Sequence, residues 1–365
     1  MKSTKHFIHV AILTSVSFLQ ADPFNDRDLN KDGKLTPEEL PEKIRNNFKR
    51  VDKDHDGFIS REEDAAARQG MNSNPQKLPD TVKATLDIPY ADTANPAQRL
   101  DLYLPVKRAS DKPLPVIVFI HGGAWKAGKK ADGRASLLPF LTSGEYAAAS
   151  VEYRLSQEAK WPAQIEDCKA AIRWLKAHAG EHGLDAEKIA VWGTSAGGHL
   201  VAMLGVSGGV KELEGTLGKH LDQSSRVTCV ADYFGPANLL TMADFPSKIA
   251  HNDADSPESL LIGGALQENK DRARSASPVT YVTSDDAPVF IAHGTADRLV
   301  PFNQSEVFAA TLTAAKVPVY PQTIESGGHG GFEGPRLNAR LKVFFDHYLR
   351  GAKGLPESGT LRVRE

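Results

Sequence analysis

The hydrophobic rhythm of the chain changes twice. Residues 7–19 are mostly apolar and follow the basic Lys2 and Lys5, whereas the stretch from there to about residue 67 is dense in charge. From Lys83 onward, short apolar runs alternate with segments whose apolar residues recur every three or four positions. The runs predict strands at 85–88, 99–104, 115–120, 147–151, 189–192, 227–233, 289–293 and 319–324, the first two as an antiparallel pair. Pro115-Val116-Ile117-Val118-Phe119-Ile120 is apolar throughout, as expected of a strand buried on both faces. Helical spacing is clearest at 163–178, 304–315 and 337–349. This alternation predicts an α/β domain with a mostly parallel sheet flanked by helices.

The boundaries follow from these shifts. A basic start, the apolar stretch at 7–19 and the small residue Ala21 have the order of a signal peptide, so residues 1–21 are expected to direct the chain to the periplasm or the exterior. The alternative is a membrane anchor, but the stretch is shorter than the roughly 20 residues that span a bilayer and contains His9. No later segment is apolar enough to span. Residues 22–67 form a small charged module, and 68–82, with Gly70, Asn72, Ser73, Asn74, Pro75 and Pro79, read as a linker. The α/β domain covers 83–350, and 351–365 is left as a tail.

Composition narrows the function classes more than it selects one. The chain has 365 residues, 41% hydrophobic and 25% charged, with 44 Lys+Arg against 46 Asp+Glu. A balance so near neutral carries no basic footprint for nucleic acid, which is not an expected partner. Cys168 and Cys229 lie among apolar neighbours and read as two separate buried thiols, although export would permit them to pair.

The charged module holds two twelve-residue loops of one pattern. Asp28, Asn30 and Asp32, and again Asp52, Asp54 and Asp56, occupy positions one, three and five. Gly33 and Gly57 follow at six, and Lys34 and Phe58 at seven, where the donor is the backbone carbonyl. Thr36 and Ser60 stand at nine, Glu39 and Glu63 at twelve. So many oxygens in one loop repel each other unless a hard cation holds them, and a solvated acidic linker would not repeat the glycine position. The region resembles an EF-hand pair, which implies bound Ca2+ with a structural role. One segment, 40–51, must serve as exit helix of the first loop and entry helix of the second, with Leu40, Ile44, Phe48 and Val51 as its apolar face. Such an abbreviated module resembles dockerins more than opening sensors, so docking to a protein partner is a second expected use.

The chemistry of the larger domain is signalled by Gly193-Thr194-Ser195-Ala196-Gly197, which follows the apolar run 189–192 and leads into helix-compatible residues. Strand, sharp turn and helix are the context of a nucleophile elbow, with Ser195 lifted clear of the sheet. Gly205-Val206-Ser207-Gly208-Gly209 repeats the pattern but has no strand before it. A serine needs an imidazole to take its proton and a carboxylate to orient that imidazole. Asp297, just after the strand at 289–293, and His329, in Gly327-Gly328-His329-Gly330-Gly331, supply them in the order Ser, Asp, His. Asp285 and Asp286 precede their strand, His347 lies in the last helix, and His121 and His293 at strand ends read as loop-fixing residues.

After the strand at 115–120 comes His121-Gly122-Gly123-Ala124-Trp125, similar to the H-G-G-x-W loop of esterases. The N–H groups of Gly123, Ala124 and Ala196 are assigned to an oxyanion hole, with Gly122 shaping the loop. Lys126, Lys129 and Lys130 follow, as a solvated basic loop or a contact for an acidic sugar. With Val151-Glu152-Tyr153-Arg154-Leu155, Trp161-Pro162-Ala163 and 277–282, the second domain resembles α/β-hydrolases of the esterase/lipase type, closest to acetyl-xylan and feruloyl esterase-like proteins. That resemblance implies an α/β-hydrolase fold and a secreted carboxylesterase that uses no cofactor for catalysis and acts on acetyl or feruloyl esters of polysaccharides. An amidase or formamidase with the same loop, or a calcium-dependent docking protein on a hydrolase scaffold, are the alternatives.

Overall fold

The computed structural model describes residues 24, 27–28, 30–40, 45, 48–52, 54, 56–64 and 78–365. The expected signal peptide, Ile44 and most of the expected linker lie outside the described residues. The chain divides into two compact units, Met1–Lys77 and Leu78–Glu365. Among the described residues no helix is long and apolar enough to cross a membrane.

In the first unit the two acidic loops are tied by a short antiparallel ladder between β1 (Lys34–Leu35) and β2 (Ile59–Ser60), in which Leu35 faces Ile59. Those two side chains bury with Phe24, Leu40 and Phe48, the last on a helical turn, α1 (Phe48–Val51), and Val51 packs against them. The apolar face expected of the connecting segment is therefore this small core. Gly33 and Gly57 take φ of 80° and 88° although a Cβ would meet nothing within 4 Å at either, so the turn itself demands glycine there.

The second unit is built on a nine-stranded sheet in the order β11-β10-β9-β8-β7-β5-β6-β4-β3. Its strands are β3 (Val82–Pro89), β4 (Arg99–Pro105), β5 (Leu114–Ile120), β6 (Ala147–Val151), β7 (Leu184–Thr194), β8 (Cys229–Tyr233), β9 (Val289–Gly294), β10 (Val319–Glu325) and β11 (Gly359–Arg362). Pairings β3·β4 and β4·β6 are antiparallel and the rest parallel. All seven residues of β5 are buried, with Val116, Val118 and Ile120 in one core cluster and Ile117 and Phe119 in the other. A strand covered on both faces has no use for alternation, which is why its sequence shows none. Helices α2 (Arg134–Thr142) and α7 (Pro335–Arg350) send side chains into the second cluster. Helices α3 (Ala163–Ala177), α4 (Ala196–Val206), α5 (Pro257–Ile262) and α6 (Asn303–Ala314) fill the first.

Two expected boundaries are corrected. Val82, placed in the linker, is buried at the start of β3, and Leu78 packs against the same core cluster. The expected tail at 351–365 contributes β11, paired in parallel with β10, with Leu361 only 1% exposed. An edge strand of four residues needs only one inward apolar side chain, so Gly359-Thr360-Leu361-Arg362 offers too little periodicity to stand out. Cys168 and Cys229 are buried free thiols.

Candidate active site

Ser195 stands between β7 and α4 with φ 56° and ψ −121°, a conformation that costs an L-residue roughly 1–3 kcal/mol and aims its side chain away from the sheet. Its N–H donates to the Tyr233 carbonyl at 2.9 Å, which pins the turn to β8. The flanking glycines answer to space rather than to φ. A Cβ on Gly197 would lie 2.1 Å from the Ile120 carbonyl oxygen, and one on Gly193 2.3 Å from that of Gly197.

Two loops from the same sheet edge meet this serine. His329 Nε2 is 3.0 Å from Ser195 Oγ, and His329 Nδ1 is 2.7 Å from Asp297 Oδ2. The other oxygen, Oδ1, accepts the N–H groups of Leu299 at 2.8 Å and Val300 at 3.1 Å. Burial works against ionisation of Asp297, but hydrogen bonds from His293 and His329 outweigh it and hold the carboxyl well below the usual carboxylate range. Acceptance by Asp297 puts the proton of a neutral His329 on Nδ1, leaving Nε2 as the acceptor facing Ser195. His293 braces the acid: Nε2 reaches Asp297 Oδ2 at 3.2 Å and the Val300 carbonyl at 3.0 Å, while Nδ1 is 2.7 Å from Ser305 Oγ. The Phe234 ring packs edge-on against His329 with centroids 4.7 Å apart, restricting its rotation.

The loop of Gly122, Gly123, Ala124 and Trp125 faces the serine from the other side. A Cβ on Gly122 would come within 2.7 Å of the Thr194 carbonyl oxygen. Ala124 and Trp125 hold φ of 54° and 55°, so the loop is kept by its anchors and not by local preference. Trp125 is one anchor, 2% exposed, its indole donating to His199 Nδ1 at 3.2 Å. His199 Nε2 donates in turn to the Ala276 carbonyl at 2.7 Å, and burial lowers the His199 pKa to about 4, so the ring stays neutral. His121 is the other anchor, stacked on Tyr153 at 4.3 Å and donating from Nδ1 to the Gly122 carbonyl at 2.8 Å. The N–H groups of Gly123, Ala124 and Ala196 meet no acceptor among the described residues.

These groups open on a cavity of about 400 Å³, walled by Phe234, Pro236, Ile249, Leu299 and Val300 and by the buried Glu258. Beneath the elbow Asp232 accepts the Gly235 N–H at 2.9 Å, and burial pushes its carboxyl up to about 7. The competing residues lie elsewhere. Ser207 is buried with its hydroxyl on the Met203 carbonyl at 2.6 Å, Asp285 pairs with Arg226 at 2.9 Å, Asp286 accepts from the Thr283 N–H at 2.6 Å, and His347 lies against Tyr348 and 3.1 Å from the Ala352 carbonyl. Lys130 is neither solvated nor free for a sugar, being tied to Asp87 at 2.8 Å and Asp101 at 3.4 Å; Lys126 and Lys129 are exposed. Missed in the sequence were Phe234, His199, Asp232 and Glu258, whose roles arise from neighbours distant in the chain.

In the first unit, Asp28 and Asp52 are buried, while Asp32, Asp54 and Asp56 stay exposed. Asp28 accepts from the N–H groups of Asp32 at 3.1 Å and Gly33 at 2.9 Å, and Glu39 from Thr36 at 2.9 Å. Asn30 and Asp32 bond to each other at 3.0 Å, and Lys34 lies 3.7 Å from Asp56. Asp56 accepts the Phe58 N–H at 2.9 Å, and Glu63 accepts from Ser60 N–H and Oγ at 2.8 and 2.9 Å. Asp52, Asp54 and Glu63 bring one oxygen each to within 4.8 Å of one another. Asp52 Oδ1 is buried without a partner among the described residues. A buried orphan carboxylate oxygen among other carboxylates fits a hard divalent cation.

Comparison with known proteins agrees with this geometry. Residues 100–312 match the family model described as BD-FAE, and 21–41 and 47–63 match that of the EF hand. Over 257 residues the chain is 42% identical to an arylesterase of Saccharolobus solfataricus, covering 68% of this chain and 78% of that one. It is 31% identical to esterase LipC of Mycobacterium tuberculosis over 66% of its own length and spans only 58% of that relative. A solved truncated form of a carbohydrate esterase from gut microbiota is 34% identical, superposes with a TM-score of 0.70, and is covered to 99% by 75% of this chain.

Proposed function

Since the chain belongs to the BD-FAE family, an α/β-hydrolase esterase family, we propose that it is a carboxylesterase working through an acyl-serine at Ser195. The observation that carries this reading is the continuous hydrogen-bonded series Ser195–His329–Asp297 opening on a cavity beside unpartnered backbone N–H groups. His329 Nε2 takes the Ser195 hydroxyl proton as Oγ bonds to the ester carbonyl carbon, and the carbonyl oxygen gains the negative charge. The N–H groups of Gly123, Ala124 and Ala196 stabilise that charge without having to reorient. Collapse breaks the carbon–oxygen bond to the alcohol, which leaves with the proton from His329. Water then repeats the sequence, giving its proton to His329, and the acid departs as Ser195 regains its hydrogen. Asp297 stays ionised throughout, stabilising the His329 cation.

Short acyl or feruloyl esters of polysaccharides are the proposed substrates, supported by the likeness to a carbohydrate esterase. Export by residues 1–21 suits such a polymeric substrate. The acidic loops are proposed to bind Ca2+ for stability, with Asp52, Asp54 and Glu63 as the ligand set supported by geometry, and with Asp28, Asn30, Asp32 and Glu39 at the same positions of the first loop's sequence. Hydrolysis of p-nitrophenyl acetate by wild type and Ser195→Ala tests the enzyme reading. Loss of activity by roughly 10⁴-fold or more is expected, and equal rates would overturn it.

A further inference from the structure

His329 sits in Gly327-Gly328-His329-Gly330-Gly331, a stretch whose backbone has little stiffness of its own, so its orientation depends on what its ring meets. Beyond Asp297 and Ser195, the ring rests on buried Phe234, the first residue after β8. Phe234 also lies against Phe332 and His293, with ring centroids 5.5 and 6.3 Å apart, and so backs both histidines that hold Asp297. Its φ of 46° is one that a bulky side chain rarely adopts, so the turn is held from outside. Three hydrogen bonds of 2.9 Å do this: Ser195 N–H to the Tyr233 carbonyl, Phe234 N–H to the Ala292 carbonyl, and Gly235 N–H to Asp232 Oδ1.

Asp232 is the costly member of this bracket. It is 1% exposed and makes no ion pair among the described residues, and a carboxyl buried without a cation is unfavourable. Yet the backbone makes room for it, since a Cβ on Gly198 or Gly235 would stand 2.5 or 2.6 Å from Oδ1. None of the proton and acyl transfers above uses Asp232 or Phe234. We propose that both are positioning residues for His329: Asp232 closes the turn that keeps Phe234 at positive φ, and the Phe234 ring is the surface that sets His329 between Asp297 and Ser195. This rests on the esterase reading and adds to it a support that touches no substrate atom through Asp232. Without the Asp232 acceptor the Gly235 N–H loses its partner, the turn relaxes, and the ring no longer confines His329.

The test measures p-nitrophenyl acetate hydrolysis and the downfield NMR resonance of the proton between His329 and Asp297, both on the full-length protein. Asp232→Ala and Phe234→Leu are each expected to lower kcat by about tenfold with KM held within about threefold, and to broaden or abolish that resonance. The double variant is expected to lose no more than the worse single one, because both substitutions remove the same support. Asp232→Asn keeps an acceptor oxygen for Gly235 and is expected to restore the resonance and to bring kcat back to within about threefold of wild type. Melting shows which variants are folded, and should Asp232→Ala fail to fold, Phe234→Leu decides. A merely structural role lowers the melting temperature but leaves kcat and the resonance of the folded variants as in wild type, which overturns this inference alone. So do losses that multiply in the double variant, or a Phe234→Leu effect confined to KM. A wild type that does not turn over overturns the esterase reading, and this inference with it.

Discussion

Both the acidic loops and the active-site turn gather carboxylates against backbone N–H groups, yet they treat the charge in opposite ways. At Asp297 both oxygens are taken by protein donors, Oδ1 by Leu299 and Val300 and Oδ2 by His329 and His293. At Asp52 one oxygen accepts the Gly57 N–H at 3.2 Å while the other is buried and unpartnered among the described residues, with Asp54 and Glu63 close by. The first arrangement is finished by the chain itself and is set before substrate arrives. The second leaves that lone pair open, at the place where the proposed Ca2+ would enter. A carboxylate's unmet lone pair thus marks where the proposed cation belongs.

The comparison sharpens most under pH. Asp232 and His199, both buried near the elbow, shift in opposite directions, to about 7 and about 4 from ordinary values of 3.8 and 6.5. Between pH 4 and 7 folded Asp232 keeps a proton that the unfolded chain loses, so its contribution to stability is complete below about 3.8 and is lost as pH rises to about 7. Folded His199 stays neutral where the unfolded chain protonates, so stability falls as pH drops from 6.5 to about 4. Each effect amounts to up to about 3–4 kcal/mol, and the two oppose each other in the wild type. Relative to wild type, Asp232→Asn should gain stability as pH rises through this range and His199→Gln should gain it as pH falls. Denaturant titrations at a series of pH values check this, and slopes of the same sign for both variants would contradict it.

Calcium removal should act on the other region. Saturating Ca2+ at a hundredfold its Kd contributes about 3 kcal/mol, so chelation is expected to lower the stability of the loop unit, read by calorimetry. The smallest effect expected is on p-nitrophenyl acetate hydrolysis, which should hold within about twofold because the catalytic carboxylate has its protein partners already. Immediate loss of activity with the catalytic unit still folded would break the comparison.

What could be read in advance follows the range of the interaction. Strand β5 announced itself by a continuous apolar run, and the acidic loops by repeated local spacing, because burial on two faces and the oxygen spacing of an EF-hand pattern act residue by residue along the chain. Ser195, Asp297 and His329 stood out as candidates because each lies at a strand end in a recognisable turn. Their supports did not. Phe234 meets His329, Trp125 meets His199, and Glu258 meets His251 beside a cavity assembled from segments far apart in the chain; no local period encodes such meetings. Lys130 was misread for the same reason, since its partners Asp87 and Asp101 arrive from β3 and β4. Ser207 shows the converse, a local pattern with no tertiary context.

The most direct measurement is the site of acylation itself. The enzyme is mixed with p-nitrophenyl acetate, quenched in acid during the burst, and digested, and the peptide carrying both Ser195 and Ser207 is fragmented in a mass spectrometer. One acetyl group on Ser195, absent after quenching Ser195→Ala, is the result expected. Acetyl on Ser207, or steady turnover with no acyl-enzyme and undiminished activity in Ser195→Ala, would contradict the account.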